Sequence, residues 1–238
     1  MKHRFVLTIS SLAVLTCLLC GCGETDTAAG QPIVAPPPDF GNNDRTVCVA
    51  MGDSITVGHN GPDATLAGYT VLLAPMIGRT IINEAIDGSD TGDGKGIVNR
   101  VLRDHKPAYL LILYGANDVI SGMHTTQSIA NLRTIIQAAK TNQTVPIITT
   151  LLPMSGPHKF FAGGVVHLNT EIRQLAQDEA VALVDLYTVF AITAIATDVL
   201  GLQSPLMTHD GLHPNDDGQH VIAQEFALGV DWAPVVVP

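Results

Sequence analysis

The sequence predicts a three-layer α/β/α sandwich, flavodoxin-like, built on a central five-stranded parallel sheet. Three observations carry that prediction. Five short apolar runs follow residue 45, at 46–51, 80–83, 109–114, 145–152 and 182–186. Each is apolar nearly throughout rather than alternating, as in strands covered on both faces. Between them lie amphipathic stretches of helical length, and β and α elements alternating in one domain fold with right-handed crossovers into helix layers on both sides of a parallel sheet.

Taken from the start, the first residues stand apart from this pattern. Lys2 and Arg4 precede an unbroken low-charge stretch at 5–20, which ends in Leu19-Cys20-Gly21-Cys22. A membrane-spanning helix needs roughly 20 apolar residues. This run is shorter and ends in small residues, so 1–21 reads as a signal peptide. The tetrapeptide resembles a bacterial lipobox, which makes Cys22 the expected lipidation site and the new N-terminus, with plain secretion as the rival reading. Cys17 and Cys20 are poorer candidates because Thr16 and Leu19 would occupy the small position before them. Gly23 is not the aspartate associated with inner-membrane retention, so the expected location is the outer membrane or periplasm. Residues 22–44 show no apolar period and include Pro36-Pro37-Pro38, the composition of an extended tether. The folded domain is then expected at 45–238.

Cleavage removes Cys17 and Cys20, lipid occupies Cys22, and Cys48 alone remains, set between Val47 and Val49 as a small core residue. No intrachain disulfide is expected. Helices are predicted at about 65–77, 94–105, 125–140 and 164–179, with a last one at 215–229 after Pro214. The third places Ile129, Leu132, Ile135 and Ile136 on one stripe facing the sheet. Segments 154–164 and 192–207 read as loops, lining a pocket or filling the core.

Composition bounds the function. With 46% hydrophobic and 14% charged residues in 238, the chain can bury the core of one sizeable domain. The net charge is −10, and removal of Lys2 and Arg4 leaves 10 basic against 22 acidic residues, or −12. No Lys/Arg cluster is present to neutralise phosphates, so nucleic acid is excluded as a partner. The charge of −12 likewise disfavours anionic lipid headgroups as a docking surface, through long-range repulsion.

Polar groups that folding does not require fall at the carboxyl ends of the predicted strands, where such sheets collect their sites. Gly52-Asp53-Ser54 follows the first strand. There the serine N–H is free to donate towards a developing oxyanion, although the tripeptide alone is a common turn. Asn83-Glu84-Ala85-Ile86-Asp87-Gly88 follows the second, and Gly88 has no Cβ to keep a substrate away, although a flexible turn is the plainer reading. The stretch 88–96 fits neither G-x-G-x-x-G nor a Walker pattern. Gly115-Ala116-Asn117-Asp118 ends the third strand. Asn117 offers side-chain N–H donors, Asp118 reads as a cap for the next helix, and Asp53 as ordering its own turn. Asp210-Gly211-Leu212-His213-Pro214 precedes the last helix, and a three-residue spacing on a turn can bring a carboxylate to imidazole Nδ1. A metal site on His209, Asp210 and His213 is the other reading, but no fourth ligand has zinc-like spacing.

In this order Gly52-Asp53-Ser54, Gly88, Gly115-x-Asn117-Asp118 and Asp210-x-x-His213 resemble the four blocks of the SGNH (GDSL) hydrolases, over about 180 residues. The resemblance implies Ser54 as nucleophile, His213 as general base and Asp210 as the orienting carboxylate. It implies an oxyanion hole of Ser54 N–H, Gly88 N–H and the Asn117 side chain, with no metal or other cofactor. The second block departs from the common Asn-x-Gly-x-x-Gly, because Ala85 stands at its first glycine. The run 83–117 is similar to the branch with periplasmic lysophospholipases, arylesterases and acyl-thioesterases, which implies short- or medium-chain acyl esters as small-molecule substrates. Glycan deacetylation is the alternative within the family. A metal-dependent phosphoesterase and a non-catalytic lipoprotein that binds acylated ligands are the alternatives outside it.

Overall fold

The computed structural model describes residues 38–58, 68–200 and 206–235, excepting the side chains of 195–200. The segment expected to be a signal peptide, Cys22 and most of the expected tether lie outside the described residues. Strand β1 spans Asp44–Gly52, followed by the short helix α1 (Ser54–Val57) and by α2 (Tyr69–Ile77). Then come β2 (Thr80–Asn83), α3 (Thr91–His105), β3 (Pro107–Leu113), α4 (Ala116–Ser121) and α5 (Thr125–Thr141). The chain closes with β4 (Val145–Thr149), a 3₁₀ turn at Gly156–Phe161, α6 (Ala162–Asp178), β5 (Ala182–Val184), α7 (Leu186–Leu200) and α8 (Asp216–Gly229).

The five strands form one sheet in the order β2-β1-β3-β4-β5, every neighbouring pair parallel. This is the flavodoxin-like order, in which the chain reverses its direction of travel between β1 and β3. Alternating strand residues supply two cores. Val49, Met51, Leu110, Ile112 and Ile148 pack on one face against buried residues of α3, α5 and α6. Cys48, Ala50, Tyr109, Leu111 and Leu113 pack on the other against α2, α8 and the start of α7. Leu132, Ile135 and Ile136 are fully buried, as the predicted stripe requires, with Ile129 at its edge.

Several sequence boundaries shift for identifiable reasons. The sequence places the end of the tether at residue 44, yet Asp44 opens β1, and Phe40 is buried with its ring centroid 5.3 Å from that of Tyr109. A single aromatic in a Pro-rich stretch leaves no period to detect. Helix α3 begins three residues before the predicted 94, because Asp90 and Asp93 form a reciprocal capping box that outweighs the weak propensity of Gly92, Gly94 and Gly96. Strand β2 is not covered on both faces: Thr80 and Asn83 are exposed at the sheet edge. Strand β5 stops at Val184 and β4 at Thr149, both short of the predicted ends. Helix α7 occupies part of the segment read as loop, whose Leu, Val, Ile and Ala residues follow no single stripe in the sequence and so show no helical period.

Among the described residues no helix is long and apolar enough to cross a membrane.

Candidate active site

Strand register sets the height of the site. Gly52 pairs with Leu113, so the chain leaves β1 and β3 at the same level of the sheet, side by side at the point where strand order reverses. Beyond β1, Asp53 accepts the Ile55 N–H at 3.0 Å and caps α1, as its sequence position suggests. Ser54 is therefore the first helical residue, and its N–H lies outside the helix's own bonding. Burial pushes the Asp53 carboxyl up to about 6, against the pull of the Ile55 N–H and the His213 charge.

The loop at 206–215 is a closed structure. Met207 bridges Pro214 in antiparallel fashion, Thr208 N–H donates to His213 O, and Asn215 N–H donates to Leu206 O. Asp210 sits inside it. One carboxylate oxygen accepts from Thr208 Oγ1 at 2.6 Å and from the N–H groups of Leu212 and His213 at 2.8 and 3.0 Å. The other lies 2.6 Å from His213 Nδ1. Burial alone would raise the Asp210 pKa. The bonds from His213, Thr208 and the two backbone N–H groups outweigh it and hold the carboxyl well below the usual range. An acceptor on Nδ1 puts the ring proton there and leaves Nε2 as a lone-pair acceptor. That Nε2 lies 2.8 Å from Ser54 Oγ. The structure thus brings Ser54, His213 and Asp210 into one hydrogen-bonded line, although Ser54 and His213 are 159 residues apart. His213 is half-buried and His209 is exposed. Among the described residues no group of three or more His, Cys, Asp or Glu side chains is placed to hold a metal ion.

The oxyanion candidates are tied to the end of β1 through Ser89, whose Oγ donates to Gly52 O at 3.1 Å. Gly88 is exposed in a left-handed conformation, φ +71°, that a side chain would strain. Asn117 lies in the first turn of α4, and its Nδ2 donates to Ser89 O at 2.9 Å. An amide nitrogen carries two hydrogens, so one remains. Asp118 does not cap the next helix. It is fully buried and reaches back to Thr91 at the start of α3, accepting its N–H at 3.0 Å and its hydroxyl at 2.5 Å.

Three supports of the site lie outside the sequence motifs. Asn83 Nδ2 donates to Thr56 O and ties the end of β2 to α1. Gln219, buried in α8, accepts Tyr69 N–H at 2.8 Å and donates to Ile55 O at 3.4 Å, linking the histidine side of the site to the serine side. A detectable signal existed there, since Gln219, Ile222, Ala223 and Phe226 share one helical stripe and a glutamine on it is out of place. His158 Nδ1 donates to Asp210 O at 2.7 Å, and Ser155 N–H to Gly211 O at 2.9 Å, so the loop after β4 braces the one bearing Asp210. At Gly211 (φ +70°) a Cβ would lie 2.1 Å from Ser155 O.

A family model described as "GDSL-like Lipase/Acylhydrolase family" matches residues 50–221. Thioesterase 1/protease 1/lysophospholipase L1 of Escherichia coli strain K12 is 25% identical over 179 residues, 74% of this chain and 79% of that protein. An arylesterase of Vibrio mimicus is 26% identical over 181 residues, 74% and 84% of the two chains. Among solved structures, an acetylxylan esterase from Geobacillus stearothermophilus superposes with a TM-score of 0.63 at 19% identity, over 82% of this chain and 99% of that one, and shares the fold.

Proposed function

The chain belongs to the GDSL-like lipase/acylhydrolase family and is a serine carboxylic ester hydrolase; from that premise we propose that it cleaves short- to medium-chain acyl, lysophospholipid or aryl esters through an acyl-enzyme on Ser54. One observation carries this reading: the line from Ser54 Oγ through His213 to Asp210, with 2.8 Å and 2.6 Å between its members. As Ser54 Oγ attacks the ester carbon, its proton passes to His213 Nε2, and the imidazolium that forms is held by Asp210. Charge on the former carbonyl oxygen is met by the N–H groups of Ser54 and Gly88 and by the free hydrogen of Asn117 Nδ2. The tetrahedral centre collapses as His213 returns the proton to the leaving alcohol. His213 then deprotonates water, which attacks the acyl carbon and releases the acid and Ser54. The relatives named as lysophospholipase, thioesterase and arylesterase support acyl esters as the substrate class.

A panel of nitrophenyl esters of rising chain length tests this reading. The wild type is expected to turn over the acetyl to octanoyl range, with chelator making no difference. Asn117→Ala is expected to lower kcat by about 10²–10³-fold with less effect on KM. No turnover of any ester would return the substrate question to glycan acetyl groups or to ligand binding, and loss on chelation would point to metal chemistry.

Export and anchoring complete the proposal. Residues 1–21 are read as a lipoprotein signal, Cys22 as the acylated N-terminus and the following Pro-rich stretch as the tether that holds the hydrolase domain at the outer membrane or in the periplasm. Metabolic labelling with a fatty acid is expected to mark the wild type and to be lost in Cys22→Ser. Label retained in that variant rejects Cys22 as the anchor.

A further inference from the structure

The segment that carries Gly88 has no regular structure, yet an oxyanion donor must be placed to within a fraction of an ångström before the reaction begins. What holds it is visible on both sides of the glycine. Ahead of it, Glu84 N–H donates to Ala50 O and Ile86 N–H to Gly52 O, continuing the sheet register past the end of β2. Directly after it, Ser89 is buried, its Oγ bridging Gly52 O at 3.1 Å and Ile86 O at 2.8 Å, while its carbonyl accepts Asn117 Nδ2. Two residues further on, Thr91 is fully buried and both its donors end on Asp118. Asn131 Nδ2 donates to Thr91 Oγ1 at 3.1 Å and is itself held by Gln127. Among the described residues no cation pairs with Asp118, so its carboxylate is satisfied by Thr91 alone. A buried carboxylate so bonded is costly to move, because displacement strands it.

The spacing along the chain gives this contact its reach. Asn117 and Asp118 are neighbours on one turn of α4, and they grip Ser89 and Thr91, which are two residues apart. The side chains of that single turn therefore fix both the Asn117 donor and the strand of chain leaving Gly88. We propose that Asp118 is a positioning residue that, through Thr91, preorganises the oxyanion hole by locking the Gly88 segment to the turn that carries Asn117. The proposal rests on the serine-esterase reading above and adds a residue that touches no reacting atom.

The test compares Asp118→Asn, Thr91→Val and Thr91→Ser with wild type on a nitrophenyl ester, and measures inhibition by a phenylboronic acid, which forms a tetrahedral adduct with an active serine. Asp118→Asn turns an N–H₂ towards donors, and Thr91→Val removes the hydroxyl at constant shape. Both are expected to lower kcat by about 10–100-fold with KM changed by less than about threefold, as for a donor displaced rather than removed. Boronate affinity is expected to fall in proportion to kcat/KM, and Thr91→Ser to restore both. If Asp118→Asn does not fold, the Thr91 pair decides by itself. The proposal is overturned if kcat stays within twofold of wild type, or if it falls while boronate affinity holds, which is the signature of a merely structural role. A wild type that hydrolyses no ester overturns this proposal and the esterase reading together. An active wild type with indifferent Thr91 variants overturns the proposal alone.

Discussion

Ser54→Ala is expected to lower kcat for ester hydrolysis by on the order of 10⁶-fold, and His213→Ala to fall to the same floor, with the double variant no lower. The equality follows from the geometry. The hydroxyl is a poor nucleophile until Nε2 takes its proton, and Nε2 at 2.8 Å has nothing to activate once Oγ is gone. Each residue is useless without the other, so their losses do not add. A residue of catalysis, about 10³–10⁴-fold over water, is expected to survive from the oxyanion donors and substrate binding. The fold is expected to tolerate both changes, because Ser54 is only half-buried and its side-chain bond is the one to His213. The check is turnover of a nitrophenyl ester beside a thermal melt, with a phosphonate probe that labels the wild type and leaves Ser54→Ala unmarked. Retention of more than about a hundredth of the activity would mean another nucleophile. Cys48 is not available for that role: it is fully buried, and burial pushes its thiol up to about 12.

Asp210→Asn is expected to cost about 10⁴-fold in kcat while leaving the loop in place, a magnitude taken from the analogous change in a serine-protease triad. The asparagine carbonyl can still accept from Thr208 and from the N–H groups of Leu212 and His213, so the turn keeps its shape. Its amide hydrogens then face Nδ1, which must accept instead of donate. The ring proton moves to Nε2, and the base that faced Ser54 becomes a donor. A second readout separates this from simple damage. The Asp210 carboxyl is held below its usual range in the folded protein, so the native state binds its proton less readily than the unfolded chain does. The stability it adds is complete above the unfolded value of about 4 and is lost as pH falls through the folded one. The wild-type melting temperature is therefore expected to fall more steeply than that of Asp210→Asn below about pH 4. Parallel acid profiles, or a variant that keeps most of its kcat, would reject the carboxylate's assigned part.

Legibility in the sequence followed the range of the interaction. The interior strands were readable because residues such as Leu110, Leu111 and Ile112 are buried on alternate faces by different helix layers, leaving an unbroken apolar run. Helix α5 was readable because only one of its faces is covered. Helix α7 was not, since its apolar residues follow no single stripe along the sequence, and the start of α3 was hidden by three glycines whose low propensity a capping box offsets. At the site, Asp210 and His213 are three residues apart and their contact is a property of one turn. The role of Asp118 is hidden for the opposite reason: its partner is Thr91, in an earlier helix, and nothing local to residue 118 distinguishes that bond from a cap.

By itself the sequence determined the alternation of strands and helices, and with it a parallel sheet whose loops gather at one edge. It also determined which polar side chains stand at those edges, and the short-range pairing of Asp210 with His213. Only the tertiary structure decided that Nε2 of His213 meets Ser54, that Asn117 and Asp118 hold the chain beside Gly88, that Gln219 joins the two halves of the site, and that β2 is an edge. The reason is physical. Periodicity and turn chemistry act over a few residues and are written in the order of the chain, whereas those contacts depend on strand register and helix packing, which many distant residues set together.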